Sequence, residues 1–264
     1  MKKVLALFAT LAATIAVAAG PAVAVTDGEL DGERHPYVGL MVAQDAKGNP
    51  LWRCSGTLIS AKLFLTAGHC TEAPAAHAEI WFQSDVTDAA AMNYPFKGQV
   101  GGTTYTHPDY DPNAFFVRDL GVVVLGGKGM PMSQYGTLPG LNSLDALKPG
   151  SSTRFTSVGY GLQKSFPDAA AWKESALRIR MVANPYLLQI NGGIVGDFSL
   201  LLSNNTSSGG TCFGDSGGPN FLGSTNVVAG VTSFGMNGTC GGTGGVFRVD
   251  RSWSLDWLRT FSKR

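Results

Sequence analysis

The chain has 264 residues, with 20 Lys+Arg against 19 Asp+Glu for a formal net charge of +1, 44% hydrophobic residues and 15% charged ones. That balance is too apolar for a disordered chain and too neutral for a nucleic-acid binder or a polybasic membrane binder. With 35 Gly and 13 Pro, many short strands joined by loops are expected rather than a helical bundle, and no internal repeat marks a solenoid.

In chain order, residues 1–24 read first as a secretory leader. Lys2 and Lys3 form a basic start, and residues 4–19 are an uncharged, mostly apolar run. Gly20 and Pro21 break it before the small-x-small cleavage site Ala22-Val23-Ala24. The run is shorter than the roughly 20 apolar residues that span a bilayer, so no membrane anchor is expected after cleavage. Removing these 24 residues, two of them lysines, leaves 240 residues with a net charge of −1. Short β-like runs bounded by Gly, Pro, Asn or Asp follow at 37–43, 56–60, 63–66, 79–82 and 121–125. Residues 126–149 are rich in Gly and Pro without a sustained period and read as a connection between two β units. A second set of strands is predicted at 152–160, 177–182, 200–203, 227–234 and 245–249. The tail, 251–264, places Trp253, Trp257, Leu258 and Phe261 at helical spacing, which predicts a terminal helix docked by one apolar face. The expected division is a leader over 1–24, one β unit over 25–135, a second over 136–250, and the helix.

Four cysteines in an exported chain point to two disulfides, with three possible connectivities that the residues alone leave open. A metal site is not expected, because there is no C-x-x-C pair and His69 beside Cys70 is the only Cys/His adjacency.

The sharpest motif is Gly214-Asp215-Ser216-Gly217-Gly218-Pro219, just after Cys212. A serine between glycines suits a nucleophile: the backbone can turn sharply, and adjacent N–H groups can converge on the oxygen that becomes negative in acyl transfer. The pattern also fits the nucleophile elbow of α/β-hydrolases, but there the histidine follows the serine, whereas His35, His69, His77 and His107 all precede Ser216. His69 ends an apolar strand beside a cysteine that can fix its backbone, which makes it the candidate base. Asp119 directly precedes the apolar run 120–125, where a carboxylate needs a partner to offset desolvation, which makes it a candidate acid; spacing alone fits a solvated loop end better.

These residues occur in an order that resembles the chymotrypsin/trypsin-like serine endopeptidases, from Val25 to the C-terminus. The landmarks are Cys54-Ser55-Gly56-Thr57-Leu58-Ile59-Ser60, Thr66-Ala67-Gly68-His69-Cys70, His107-Pro108, Asp119-Leu120, Gly159-Tyr160-Gly161, the Ser216 motif, and Ser233-Phe234-Gly235. The resemblance implies an all-β fold of two six-stranded antiparallel barrels with a C-terminal α-helix and the active site in the cleft between the barrels. It implies the pairings Cys54–Cys70 and Cys212–Cys240. It assigns Ser216 as nucleophile, His69 as base, Asp119 as the group that orients the imidazole, and the Gly214 and Ser216 amides as oxyanion hole. Substrates would be proteins or peptides, cut without a cofactor by a monomeric, secreted enzyme.

By the same resemblance, Val25 is the mature N-terminus whose freed α-amino group pairs with Asp215, and cleavage after Ala24 would expose it without a propeptide. The floor of the specificity pocket is assigned to Gly210, followed by Thr211, with walls at Gly235 and Gly245, with Phe213 at the mouth, and with Ser233 and Phe234 among the substrate-binding residues. No Asp stands at the floor and Thr232 occupies the wall position of a glutamate-binding histidine, so large apolar or aromatic side chains are the expected P1 residues. Asn204, Asn205 and Asn237 begin N-x-S/T patterns, and Asp85 and Asp88 are too few acids for a calcium site. The alternative class is a catalytically silent relative that uses the fold for adhesion or binding. Such relatives lose triad or oxyanion residues, and here His69, Asp119, Ser216, Gly214 and Asp215 are all present.

Overall fold

A computed structural model of the chain describes residues 25–114, 117–163 and 177–262. The leader read over 1–24 lies outside the described residues. The first barrel consists of β2 (Val38–Gln44), β3 (Pro50–Ser60), β4 (Leu63–Thr66), β5 (His77–Trp81), β6 (Val100–Thr106) and β7 (Gly121–Leu125), closed in the order β2-β3-β4-β7-β6-β5. Every residue of β2 is buried, as is most of the Val-rich β7, so both read as near-continuous apolar runs.

The second barrel contains β8 (Gly150–Gly159), β9 (Met181–Ala183), β10 (Tyr186–Ile190), β11 (Ser199–Asn204), β12 (Pro219–Leu222), β13 (Val228–Gly235) and β14 (Gly242–Arg248). β9 and β10 are two halves of one bent run, both paired with β8, and the β8–β12 pairing closes six antiparallel strands into a barrel. The short β1 (Glu29–Leu30) does not join the first barrel but pairs with β9. Asp31 explains why: it is fully buried against the buried Arg180, 2.8 Å from Nε. Arg180 also donates to the carbonyls of Gly32, Val38 and Phe82, so the chain's entry is fastened to both barrels.

That arginine also corrects the strand predicted over 177–182, of which only Met181 and Val182 belong to a strand, β9. The alternation Leu177-Arg178-Ile179-Arg180 looks like a half-buried strand, but both arginines reach into the first barrel. Arg178 donates to the carbonyls of Val86 and Thr87 and lies 4.5 Å from the Tyr94 ring centroid. The backbone there pairs with the 84–86 loop instead, through a single bridge between Asp85 and Ile179. β6, β10 and β12 were not predicted. β6 reads Val-Gly-Gly-Thr-Thr-Tyr-Thr and is only half-buried, so it carries little apolar signal.

Residues 126–149 form no strand, as predicted, and thread between the barrels with Gly136 N–H donating to Leu58 O at 2.9 Å. The terminal helix α1 (Ser252–Arg259) is shorter than the predicted 251–264. Its root is set in the second barrel: Arg251 donates to Asp197 O, Asn142 and Asp145. Its apolar face meets the first barrel, with Trp257 5.1 Å from the His107 ring and Phe261 5.4 Å from Tyr105. No described helix is long and apolar enough to cross a membrane.

Candidate active site

His69 stands in a 3-10 turn (Gly68–Cys70) that caps β4, and Asp119 lies two residues before β7. The antiparallel register Thr66↔Gly121 brings the two loops side by side. Nδ1 of His69 donates to Asp119 Oδ2 at 2.9 Å, and the His69 main-chain N–H donates to Oδ1 at 2.9 Å. Ser233 supplies a third donor, its hydroxyl bonded to Oδ2. Asp119 has no solvent exposure, and these three donors offset the cost of burying its charge. Cys54–Cys70 staples the turn to β3 with Cα atoms 6.2 Å apart, and the Trp52 indole donates to Cys70 O at 3.0 Å. A local loop of this length contributes about 3 kcal/mol by restricting the unfolded chain. The two sulfurs and a His69 nitrogen lie within 4.8 Å of one another, yet both sulfurs are spent in the disulfide, so no thiolate remains for a metal.

Burial by itself pushes the His69 pKa down. The charge and hydrogen bond of Asp119, helped by the charge of Glu72, outweigh that and hold it above its ordinary value of 6.5. With Nδ1–H committed to Asp119, Nε2 is the nitrogen left to accept a proton.

Ser216 comes from the second barrel. Its carbonyl accepts the Ser55 N–H of β3 at 2.8 Å, and the Ser55 hydroxyl donates to Gly214 O at 2.9 Å. Ser55 therefore holds both sides of the serine loop, a role the sequence reading did not assign. Its signal was a small hydroxyl residue directly after Cys54 in a buried stretch of the strand. Gly214 has φ +94° and Gly217 φ +76°, conformations that favour glycine. At Gly217 a Cβ would also fall 2.0 Å from Thr66 Oγ1 and 2.6 Å from Ser55 O, so a side chain there would push the barrels apart. The amides of Asp215, Gly217 and Gly218 donate inward to Cys212, Thr232 and Asp215 carbonyls. Those of Gly214 and Ser216 have no such acceptor among the described residues.

A cavity of about 340 Å³ opens beside Ser216. Of the residues assigned to substrate binding, Thr211, Phe213, Ser233, Phe234 and Gly235 line it, with Asn237, Gly238 and the Cys212–Cys240 bridge in addition. Among the described residues that line it, none is charged. Two assignments land elsewhere. Gly210 is backed by Asn204, whose side chain occupies the space a Cβ would need at 2.2 Å, and it does not line the cavity. Gly245 lies under the tip of the Phe234 ring, which fills the space that the missing side chain leaves. Phe213 stands at the rim, 48% exposed. Asn204 is itself buried between Thr26 and Thr211 O, so its N-x-S/T pattern is inaccessible in the fold. Asp85 and Asp88 cap their own turns, accepting the amides of Thr87 and Ala91.

Asp215 is fully buried and accepts the amides of Gly161 at 2.8 Å and Cys212 at 2.9 Å. Burial pushes its pKa up to about 7, against the pull of those two bonds and of the Arg53 charge. Val25 is buried against Met181 and Ala183, and Thr26 bridges Gly210, but none of the described contacts joins Val25 to Asp215. The folded carboxyl keeps its proton to about pH 7, whereas the unfolded one releases it near 3.8. The folded state thus binds more protons in that interval, and stability falls as pH rises through it. Thermal unfolding of the chain left uncut before Val25 should show this loss between pH 4 and 8, and Asp215→Asn should remove it. An unchanged pH slope in that variant would clear Asp215 of responsibility.

A family model described as Trypsin matches residues 31–257. Among curated relatives, brachyurin of Leptuca pugilator is 30% identical over 217 residues, which cover 80% of this chain and 88% of the relative. A chymotrypsin of Phaedon cochleariae is 29% identical over 237 residues, 86% of this chain and 78% of that one. Among solved structures, HL collagenase superposes with a TM-score of 0.67 at 20% identity, covering 90% of this chain and 99% of its own. Human heparin binding protein gives 0.68 at 20% identity, with 90% and 97% covered. At that identity the two structures speak to the fold, which hosts more than one function.

Proposed function

The chain belongs to the trypsin family of serine proteases, and from that premise we propose that it is a secreted endopeptidase working through Ser216, His69 and Asp119. Ser216 Oγ attacks the scissile carbonyl while His69 Nε2 takes its proton. The C–N bond then breaks, and the same proton passes to the leaving amine. Water, deprotonated by His69, attacks the acyl ester; the bond from the acyl carbon to Ser216 Oγ breaks, His69 returns the proton to Oγ, and the acid product leaves. Asp119 keeps the proton on Nδ1 and stabilises the imidazolium, and the Gly214 and Ser216 amides receive the oxyanion. The observation that carries this reading is the buried Asp119 bonded to both the ring and the main chain of His69, with Ser216 facing a cavity that the Asp119-bound Ser233 also lines.

The uncharged lining supports a preference for large apolar or aromatic P1 side chains, since a buried substrate charge would find no partner there. The leader-like residues 1–24 support export, and cleavage after Ala24 would free the Val25 amino group to neutralise the buried Asp215 without a propeptide.

The test is a fluorophosphonate probe on the purified secreted protein, read by intact mass and peptide mapping, with denatured protein as control. One adduct, on Ser216 of a chain beginning at Val25, is the expected result; an unlabelled, correctly processed protein would sink the assignment. A peptide panel should then favour Phe, Tyr or Leu at P1 over Lys or Glu by about 100-fold in kcat/KM. Full activity in a variant carrying extra residues before Val25 would defeat the N-terminal pairing.

Because Asp119 holds the His69 pKa above 6.5, the ascending limb of kcat/KM against pH should lie above that value. Glu72→Gln removes a second negative charge acting on the imidazole and should move the limb to lower pH. A limb at or below 6.5 in the unaltered enzyme would contradict this electrostatic account.

A further inference from the structure

Arg118 immediately precedes Asp119 and has φ +59°, a left-handed conformation that is unfavourable for a residue with a side chain. The bend is tight: the Leu120 N–H donates to Arg118 O at 2.7 Å, with Asp119 at its apex. Such a bend persists only where its surroundings hold it. The half-buried guanidinium of Arg118 lies over the Trp253 ring, 3.9 Å from the centroid, within the range of a cation–π contact.

Trp253 occupies the first turn of α1, next to Arg251 with its bonds to Asp197 O, Asn142 and Asp145. The Trp253 indole is placed for its face, because its Nε1 is buried with no hydrogen-bond partner among the described residues. A buried donor without an acceptor is costly, so the contact made by the face is held against that cost. The Trp253 carbonyl meets His107 Nε2 at 3.3 Å, a second tie between the helix and the segment that leads to Asp119.

We propose that Arg118 is a positioning residue for hydrolysis: seated on Trp253, it holds the left-handed bend that presents Asp119 to His69. The C-terminal helix, rooted in the second barrel, thereby sets the carboxylate of the first. This rests on the reading of Asp119 as the group that orients His69.

The test compares Arg118→Ala, Arg118→Gly, Trp253→Phe and Trp253→Ala in the mature enzyme by kcat, KM, pH profile and thermal midpoint. Arg118→Ala should lower kcat about tenfold with KM within about twofold, since the contact acts on the reacting geometry rather than on substrate binding. Its ascending pH limb should move to lower pH as the hold of Asp119 on the imidazole loosens. Arg118→Gly should recover kcat to within about threefold, because glycine adopts φ +59° without strain. Trp253→Phe keeps a ring under the cation and should retain kcat, whereas Trp253→Ala should match Arg118→Ala. In the Arg118→Ala/Trp253→Ala pair the two losses should not add.

Unaltered kcat in Arg118→Ala, or equal losses in the alanine and glycine variants, would overturn the proposal. The reading beneath it fails separately: Asp119→Asn with unaltered kcat would remove Asp119 from the mechanism whatever Arg118 does.

Discussion

Replacing Ser216 by alanine is expected to lower kcat for peptide hydrolysis by about 10⁶-fold while leaving KM and the fold nearly unchanged. The loss is large because no acyl-enzyme can form without Oγ, and His69 then has no proton to take. The fold should survive because the main chain of the loop is held by groups that alanine keeps. Ser55 N–H still donates to the residue 216 carbonyl, Gly217 N–H to Thr232 O, and Gly218 N–H to Asp215 O. Residual turnover of about 10³–10⁴ over the uncatalysed rate should remain, from the oxyanion amides and substrate positioning alone. Steady-state kinetics on one peptide, with a thermal midpoint as fold control, reads the effect. A variant within tenfold of the parent would place the nucleophile elsewhere.

Asp119→Asn should cost about 10⁴-fold in kcat near neutral pH. Three donors converge on the two oxygens of Asp119: the His69 N–H, the His69 Nδ1–H and the Ser233 hydroxyl. An asparagine has one acceptor oxygen, so its NH₂ must face at least one of them. The least costly adjustment is for His69 to move its proton to Nε2 and accept the amide at Nδ1. In that tautomer the nitrogen offered to Ser216 already carries a proton and cannot act as base. The same change removes the main cause that raises the His69 pKa, so the residual activity should titrate at lower pH. Activity retained to within tenfold, or an unmoved pH limb, would show that the carboxylate does not set the tautomer.

Much of this arrangement is legible in the chain because its signals are local. The Ser216 motif announces itself through glycines that a sharp loop requires, and two of them, Gly214 and Gly217, do take positive φ. Apolar runs mark β2, β4 and β7, and the flanks of β4 and β7 carry His69 and Asp119. Once those strands pair as Thr66↔Gly121, the two flanks must meet. Pairing of the cysteines followed from the family resemblance, and both bridges close as that resemblance implied. The chain was silent where one residue's role depends on a distant partner. Ser233 was read only as a substrate-binding residue, and its hydroxyl also bonds Asp119. The run 177–182 was read as a strand with no role assigned to its arginines, yet Arg180 is fully buried against Asp31 across 149 positions of sequence.

The cavity beside Ser216 divides the same way. The sequence shows that no charged residue stands at positions 210 and 211, and the family resemblance implied that Phe213 lies at the mouth of the pocket. Only the packed structure decided that Asn204 fills the space beside Gly210 and that the Phe234 ring rests on Gly245. Sequence by itself determined the all-β class in two halves with a terminal helix and singled out Ser216, His69 and Asp119 as candidates, because backbone conformation and apolar periodicity are set within a few residues. The tertiary structure decided who buries whose charge and which side chain enters whose vacant volume. Those outcomes depend on desolvation and close packing between segments that meet only when the barrels close.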